Sequence, residues 1–250
     1  MLQIRQTWSN QATQEEILAF RSVANRTFGC DYVTEDYFKA KYLDNIYGPS
    51  VLFLAYWDGQ PVGARACWRN DLNGMEAYAS ADSSVLPSFQ GKGVFRAILE
   101  KTAAFAAENP QVILYGFPNN NSSPVYKKLG WTVKQLYKKA VYPGFSSRSK
   151  IPRIDSEYAL WWMKRRRNIC HIKRFGVWYL VKQAAKPGRG VILGSVSREA
   201  ALHFPKANSF LWRLFCYIDT KCPQDSHGQV NAAFYNCPDP NAPWYKVDAL

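Results

Sequence analysis

The chain predicts a mixed α/β fold of the α+β type: a mostly antiparallel, twisted sheet flanked by helices. Three observations carry this. Apolar runs at 51–57, 61–68 and 75–84 follow one another through Asp58-Gly59 and the turn Asn70-Asp71-Leu72-Asn73-Gly74, as antiparallel hairpins do. Segments with helical spacing precede and follow them. Strand and helix then alternate, with a Gly-Lys-Gly loop leading from the long strand into a helix.

Taken in order, Thr13-Gln14-Glu15-Glu16 is a capping box, and Ile17, Leu18, Phe20, Val23 and Ala24 are the apolar positions of the helix it opens. Thr34-Glu35-Asp36 opens a second helix carrying Tyr37, Phe38 and Tyr42. The three strands follow. A helix over 92–108 is predicted by Val94, Ile98, Leu99, Ala103 and Ala106. A strand at 112–117, a short helix at 122–129 stopped by Gly130, and a strand at 131–142 complete this part.

The pattern changes at Pro143-Gly144-Phe145-Ser146-Ser147-Arg148-Ser149, which divides the chain into domains 1–142 and 143–250. The second half has strand-like runs at 176–181, 191–196 and 210–218, a turn at Pro187-Gly188-Arg189-Gly190, and a short helix around Ala201 and Leu202. A β-rich extension and a degenerate copy of the first half both fit this pattern.

Composition bounds the function. Of 250 residues, 47% are hydrophobic and 15% aromatic, enough for a sizeable core. No run reaches the ~18 apolar residues of a membrane helix, and Met1-Leu2-Gln3-Ile4-Arg5-Gln6 lacks the basic-then-apolar order of a signal peptide. The cysteines at 30, 67, 170, 216, 222 and 237 form no Cys-x-x-Cys pair, and there are three histidines. The expectation is therefore a reduced, cytoplasmic protein with no metal site. The formal charge of +13 favours acidic ligands. Its densest cluster is Trp161-Trp162-Met163-Lys164-Arg165-Arg166-Arg167, followed by His171, Lys173 and Arg174. This reads as a solvated helix face with inward tryptophans. Peripheral membrane contact is the alternative, and nucleic acid is disfavoured because no binding motif accompanies the cluster.

The chemistry concentrates in Val85-Leu86-Pro87-Ser88-Phe89-Gln90-Gly91-Lys92-Gly93-Val94-Phe95. Two glycines let successive backbone N–H groups point the same way, and the following helix adds the positive end of its dipole. Such a loop cradles a phosphate or pyrophosphate. It lacks the spacer and the Lys-Ser/Thr ending of a P-loop, and Phe95-Arg96 excludes the dinucleotide fingerprint. A second block, Phe117-Pro118-Asn119-Asn120-Asn121-Ser122-Ser123-Pro124-Val125-Tyr126-Lys127-Lys128-Leu129-Gly130-Trp131, follows the next strand. By period-two counting, and without a bulge, Glu76 and Asp82 lie on one side of the long strand as candidate general bases.

Together these blocks resemble the GNAT acyltransferase superfamily over roughly 1–142. Gln90-Gly91-Lys92-Gly93-Val94-Phe95 matches the acyl-CoA motif Gln/Arg-x-x-Gly-x-Gly/Ala except at Phe95. Asn119, Ser122, Tyr126, Gly130 and Trp131 fall in register with Asn-x-x-Ala-x-x-x-Tyr-x-x-x-Gly-Phe, Ser122 standing at the alanine position. The resemblance implies acetyl-CoA or another acyl-CoA as donor, held by Gln90, Gly91, Lys92, Gly93, Val94 and Phe95, with Asn119 near the pantetheine arm. It implies an oxyanion donor among the backbone N–H groups of Ser84, Val85 and Leu86, and Tyr126 as the acid that protonates the departing thiolate. The implied reaction is N-acetylation of a small-molecule amine. Gly116-Phe117-Pro118-Asn119 with Lys128-Leu129-Gly130-Trp131 resembles GNAT-like proteins of bacterial surface polysaccharide synthesis, which implies an amino sugar, on an acidic nucleotide carrier that would suit the basic surface. The competing expectations are a non-catalytic acyl-CoA-binding scaffold and an aminoacyl-tRNA-dependent transferase built of two GNAT-like halves.

Overall fold

The computed structural model describes residues 1–72, 74–141, 151–186, 188–207, 213–218 and 226–238. The boundary segment 143–149, Pro187 and the start of the run at 210–218 lie outside the described residues. Two compact units form: residues 1–133 with 232–238, and the described residues of 134–231.

In the first unit, strand β1 (Leu2–Trp8) precedes helix α1 (Gln14–Phe28) and the short helix α2 (Glu35–Phe38), which continues as a π-helical turn over Lys39–Leu43. Strands β2 (Val51–Trp57), β3 (Gln60–Arg69) and β4 (Ala77–Val85) follow. Then come α3 (Val94–Glu108), β5 (Ile113–Gly116) and α4 (Ser123–Lys128). Strand β1 was not anticipated. Its alternating Leu2, Ile4 and Trp8 carry the strand period, and it pairs antiparallel with β2 from Leu2↔Trp57 to Trp8↔Val51.

Local chemistry explains the ends. The Thr13 hydroxyl accepts from the Glu16 amide at 3.2 Å while Glu16 accepts from the Thr13 amide at 3.0 Å. A cap of this type contributes about 1 kcal/mol. Gly29 closes α1 in the left-handed region at φ 68°. Thr34 caps α2 through the Tyr37 amide, at 3.1 Å.

Both faces of the first unit's sheet are covered. Val51, Phe53 and Ala55 of β2 join Ile98, Leu99, Phe105 and Ala106 of α3 in one core. On the other face α1 packs on β3 and β4, and Phe20, Phe38 and Tyr42 meet edge-on or tilted at centroid separations of 5.1–5.8 Å. A Cβ on Gly63 would lie 2.9 Å from Val94 Cγ1 and 3.0 Å from Ile98 Cδ1, so glycine sets how closely α3 approaches β3.

The second unit contains β6 (Thr132–Val141, from Lys134 onward), α5 (Ser156–Trp161), β7 (Ile169–Arg174), β8 (Val177–Gln183), β9 (Arg189–Val196), α6 (Arg198–Ala201) and β10 (Arg213–Ile218). Strands β7, β8 and β9 are antiparallel, β10 is parallel to β9, and β6 pairs antiparallel with β10. The first unit shows the same plan. Strands β2, β3 and β4 are antiparallel, β5 is parallel to β4, and the C-terminal end of β11 (Ser226–Tyr235) pairs antiparallel with β5. Each unit's sheet is thus finished by a segment far away in sequence: residues 232–235 beside β5 in the first, and β6 beside β10 in the second. The basic cluster departs from the expected helix face. It occupies the end of α5, a 3₁₀ turn at Met163–Arg165 and the strand β7. Trp161, Trp162 and Met163 are buried, while Lys164, Arg165, Arg167, Lys173 and Arg174 are exposed.

Candidate active site

The Gly-Lys-Gly loop has the conformation its residues demand. Pro87–Phe89 form a 3₁₀ turn, Gln90 is extended, and Gly91 and Gly93 sit in the left-handed region at φ 75° and 81°. A Cβ on either glycine would meet nothing within 4 Å. The glycines are therefore required by backbone conformation, and the space beside them is open. Gln90 ties the loop to the end of β4, its Nε2 donating to the Val85 carbonyl at 3.0 Å. Gly93 begins α3 without a side-chain cap. The amides of Val94, Phe95 and Arg96 open the helix with no intrahelical acceptor four residues back. Lys92 lies over the Phe89 ring at 4.9 Å. The bulky Phe95 packs partly buried against the core, 6.4 Å from the Tyr126 ring centroid.

Beside this loop β4 and β5 part. Their pairing runs only from Ala77↔Ile113 to Ala79↔Tyr115, whereas β4 continues to Val85. Leu86 is not a free donor, because its amide bonds the Val62 carbonyl at 2.9 Å. Successive strand amides point to opposite sides, so the Val85 N–H faces away from β3, toward the parted side. Ser84 pairs with Ala64 across the β3 ladder. Of the three expected oxyanion donors, Val85 is the one directed into the gap. The Ser84 hydroxyl is buried without a hydrogen-bond partner.

Asn119 is a turn-former. Its Oδ1 accepts from the amides of Asn121 at 3.1 Å and Ser122 at 2.9 Å and from the Ser122 hydroxyl at 3.0 Å. Its carbonyl accepts from the Ser123 amide at 2.9 Å. This polar turn starts α4 and presents Tyr126 inward, 3% exposed, edge-on to Trp131 at 4.9 Å.

The proposed pairing of Glu76 and Asp82 on one side of β4 is overturned. The β3–β4 register shifts between Ala64↔Ser84 and Ala66↔Ala81. Asp82 sits in this bulge at φ 47°. The extra residue reverses the side-chain alternation. Ser80 and Ser83 then share a face, each accepting from Arg65, and Asp82 turns to the α2 face. There it accepts from Lys41 Nζ at 3.1 Å, from Tyr37 at 3.2 Å and from Tyr42 in a short hydrogen bond. Burial, and next the Asp82 charge, push the Tyr37 and Tyr42 phenols well above the ordinary tyrosine range. Lys41 also lies over the Tyr37, Tyr42 and Trp68 rings at 4.9–5.3 Å. Glu76 lies just before β4, where it accepts from Arg69 Nη1 and from Tyr78, each at 2.8 Å. Neither carboxylate shares a cluster with Tyr126.

What does meet Tyr126 is Arg65, a residue absent from the sequence-based candidates. It is fully buried. Its Nη1 donates to the Tyr126 hydroxyl at 2.9 Å and to Ser83 Oγ at 3.1 Å, and its Nη2 donates to Ser80 Oγ at 2.5 Å. Its guanidinium lies 5.6 Å from the Tyr126 ring centroid, and Nε has no partner. Among the described residues no carboxylate pairs with it. Burial acts against its charge, but contacts with Tyr126 and Cys67 outweigh it and hold Arg65 above the ordinary arginine range. Desolvating an ion costs several kcal/mol, and three hydrogen bonds from a charged donor return about 1.5–3 kcal/mol each. Without its hydroxyl partners this cation could not remain buried. The sequence signal was a single cation in the apolar stripe Gly63-Ala64-Arg65-Ala66-Cys67 of a strand covered on both faces. Burial raises the neighbouring Cys67 thiol, which removes it as a thiolate nucleophile.

Among the described residues no group of three metal-ligating side chains forms, and no helix is long and apolar enough to cross a membrane.

Residues 48–133 match the family model of the acetyltransferase (GNAT) domain. No curated protein matches the sequence. Among solved structures, a GCN5-related N-acetyltransferase from Kribbella flavida superposes with a TM-score of 0.56 at 12% identity, covering 93% of this chain and 71% of that one. A GCN5-related N-acetyltransferase from Anabaena variabilis gives a TM-score of 0.55 at 14% identity, over 93% and 72% of the two chains. A probable N-acyltransferase from Enterococcus faecalis gives 0.56 at 13% identity, over 93% and 72%. At such identities the likeness establishes the fold: the chain has the GNAT fold, and the similarity reaches well past residue 142.

Proposed function

We propose that the protein is an acyl-CoA-dependent N-acyltransferase that moves an acetyl group from acetyl-CoA to a small-molecule amine. The observation that carries this reading is the loop at 90–93. It has two left-handed glycines, open space beside them and an uncapped helix N-terminus, next to the point where β4 and β5 part. That arrangement suits the pyrophosphate of coenzyme A, bound by the first-turn amides of α3 and aided by Lys92. The pantetheine arm would run along the gap toward Val85 and Tyr126. The match of 48–133 to the acetyltransferase domain supports the same reading.

In this reading the amine attacks the thioester carbonyl directly. The Val85 N–H stabilises the oxyanion that develops. Tyr126, a phenol, protonates the thiolate as it leaves. Asp82 and Glu76 are not given the role of base, because each is engaged by cationic and phenolic donors away from Tyr126. Within the amine class, the finer proposal is an amino sugar on an acidic nucleotide carrier, supported by the formal charge of +13.

The test is a thermal-shift titration with acetyl-CoA beside CoA and ADP. At a hundredfold excess over Kd, linkage gives ~2.7 kcal/mol of stabilisation, which is about 5–10 °C for a chain of this size. Gly93→Val should abolish the shift, since a β-branched residue is strained at φ 81°. Thiol release from acetyl-CoA over a panel of amines, nucleotide-linked amino sugars included, then identifies the acceptor. No shift at millimolar acetyl-CoA would sink the proposal. Salt-sensitive binding of tRNA in its place would favour an aminoacyl-tRNA donor.

A further inference from the structure

We infer that Arg65 is a positioning residue for the acid step: it fixes the Tyr126 hydroxyl as an acceptor on one side and supplies the positive charge that the phenolate needs once its proton has left. The inference rests on the acyltransferase reading above and assigns a role that the reading leaves open.

The geometry carries it. A phenol oxygen can accept one hydrogen bond and donate another. Arg65 Nη1 occupies the accepting side at 2.9 Å. Among the described residues the Tyr126 hydroxyl donates no hydrogen bond, so its proton is left to be given to a bound group. Arg65 is itself held from two directions, by Ser83 on Nη1 and Ser80 on Nη2. Both serines lie on β4, and the bulge at Asp82 is what brings Ser83 to the same face as Ser80. The local density of the strand also matters here, because a Cβ on Gly116 of β5 would lie 2.7 Å from Ser80. The guanidinium thus sits between β4, where the reaction would occur, and the acid on α4, with no carboxylate among the described residues to neutralise it.

The proton and charge balance follows. As the tetrahedral intermediate collapses, the C–S bond breaks and its electron pair goes to sulfur. Sulfur takes the proton of Tyr126, forming S–H and leaving the O–H electron pair on the phenolate oxygen. The Arg65 charge offsets that anion in a site of low dielectric, where such a pairing is far stronger than in water. The proton that the attacking amine sheds to solvent is replaced on Tyr126 from solvent, so the enzyme returns to its starting state.

The experiment is a kinetic cycle on the whole chain with acetyl-CoA and the best acceptor from the panel, using Arg65→Met, Arg65→Lys, Tyr126→Phe and the double variant Arg65→Met/Tyr126→Phe. Arg65→Met should lower kcat about 30-fold or more while KM for acetyl-CoA changes less than about 3-fold. Arg65→Lys, which keeps the charge and loses the fork, should recover part of that loss. The double variant should be no slower than Tyr126→Phe, because a residue acting only through Tyr126 has nothing left to act on. Additive losses in the double variant would overturn the inference while leaving the acyltransferase reading standing. If Arg65→Met does not fold, the Arg65→Lys cycle with Tyr126→Phe decides in the same way. Failure of the wild-type chain to bind acetyl-CoA or release thiol with any amine would overturn the reading and this inference with it.

Discussion

At the residue scale, the two buried cations of the first unit have opposite fates. Lys41 is neutralised by Asp82 at 3.1 Å, with both side chains almost wholly buried. Removing one partner of such a pair costs about 3–5 kcal/mol because the other charge is stranded. Asp82→Asn should therefore lower unfolding free energy by that order in urea titrations, with acetyl-CoA binding retained. A variant of unchanged stability that cannot transfer acetyl groups would return Asp82 to candidacy as the base. The same cluster sets an alkaline limit. The Tyr37 and Tyr42 phenols are raised in the fold, by burial first and the Asp82 charge second. In the unfolded chain they ionise near ~10. Their contribution is therefore complete below that pH and is lost as pH rises through and beyond it, at about 1.4 kcal/mol per pH unit per tyrosine. Urea unfolding between pH 8 and 11 should show this decline, and Tyr37→Phe should make it shallower. Tyr126 was legible in the sequence because its motif spaces it from Asn119 and Gly130. Arg65 was not, because nothing local distinguishes a stripe cation that is buried from one at a strand edge.

At the element scale, the bulge in β4 decides the site. A period-two count cannot see it, since a bulge depends on how β3 and β4 pair and Asp82 carries no local mark of it. The α3 N-terminus, in contrast, was readable, because glycines at 91 and 93 report left-handed backbone wherever the chain is placed. How α3 is seated is tertiary. It approaches β3 at Gly63, where a Cβ would crowd Val94 and Ile98. Gly63→Val should push the helix off the sheet, costing about 1–3 kcal/mol of stability and weakening acetyl-CoA binding, as read by melting temperature with and without the donor. Unchanged binding would mean that the cradle tolerates a shifted helix.

At the scale of the molecule, the first unit's dependence on residues 232–238 governs what can be cut. The first unit takes in Ala232–Pro238, while residues 134–141 belong to the second. Phe234 pairs with Tyr115, Tyr235 packs on Trp131 at 5.5 Å, and Asn236 donates to the Ala106 carbonyl at 2.7 Å. A chain ending at residue 141 would keep every motif residue yet leave one edge of β5 unpaired, a template for aggregation. Such a truncation should fail to give a stable monomer by size exclusion, and a well-folded monomer would contradict the strand's importance.

The sequence by itself determined the mixed fold, the order of elements from α1 to β6, the left-handed glycines of the 90–93 loop and the position of Tyr126. Those features are written in hydrophobic period, caps, glycine conformation and motif spacing, all of which act over a few residues. Only the tertiary structure decided which face Asp82 takes, that Arg65 meets Tyr126, that Val85 and not Leu86 offers its amide, and that Ala233–Tyr235 pair with β5. Each of these depends on the register between strands distant in sequence, and a one-residue shift in register turns every side chain beyond it to the other face.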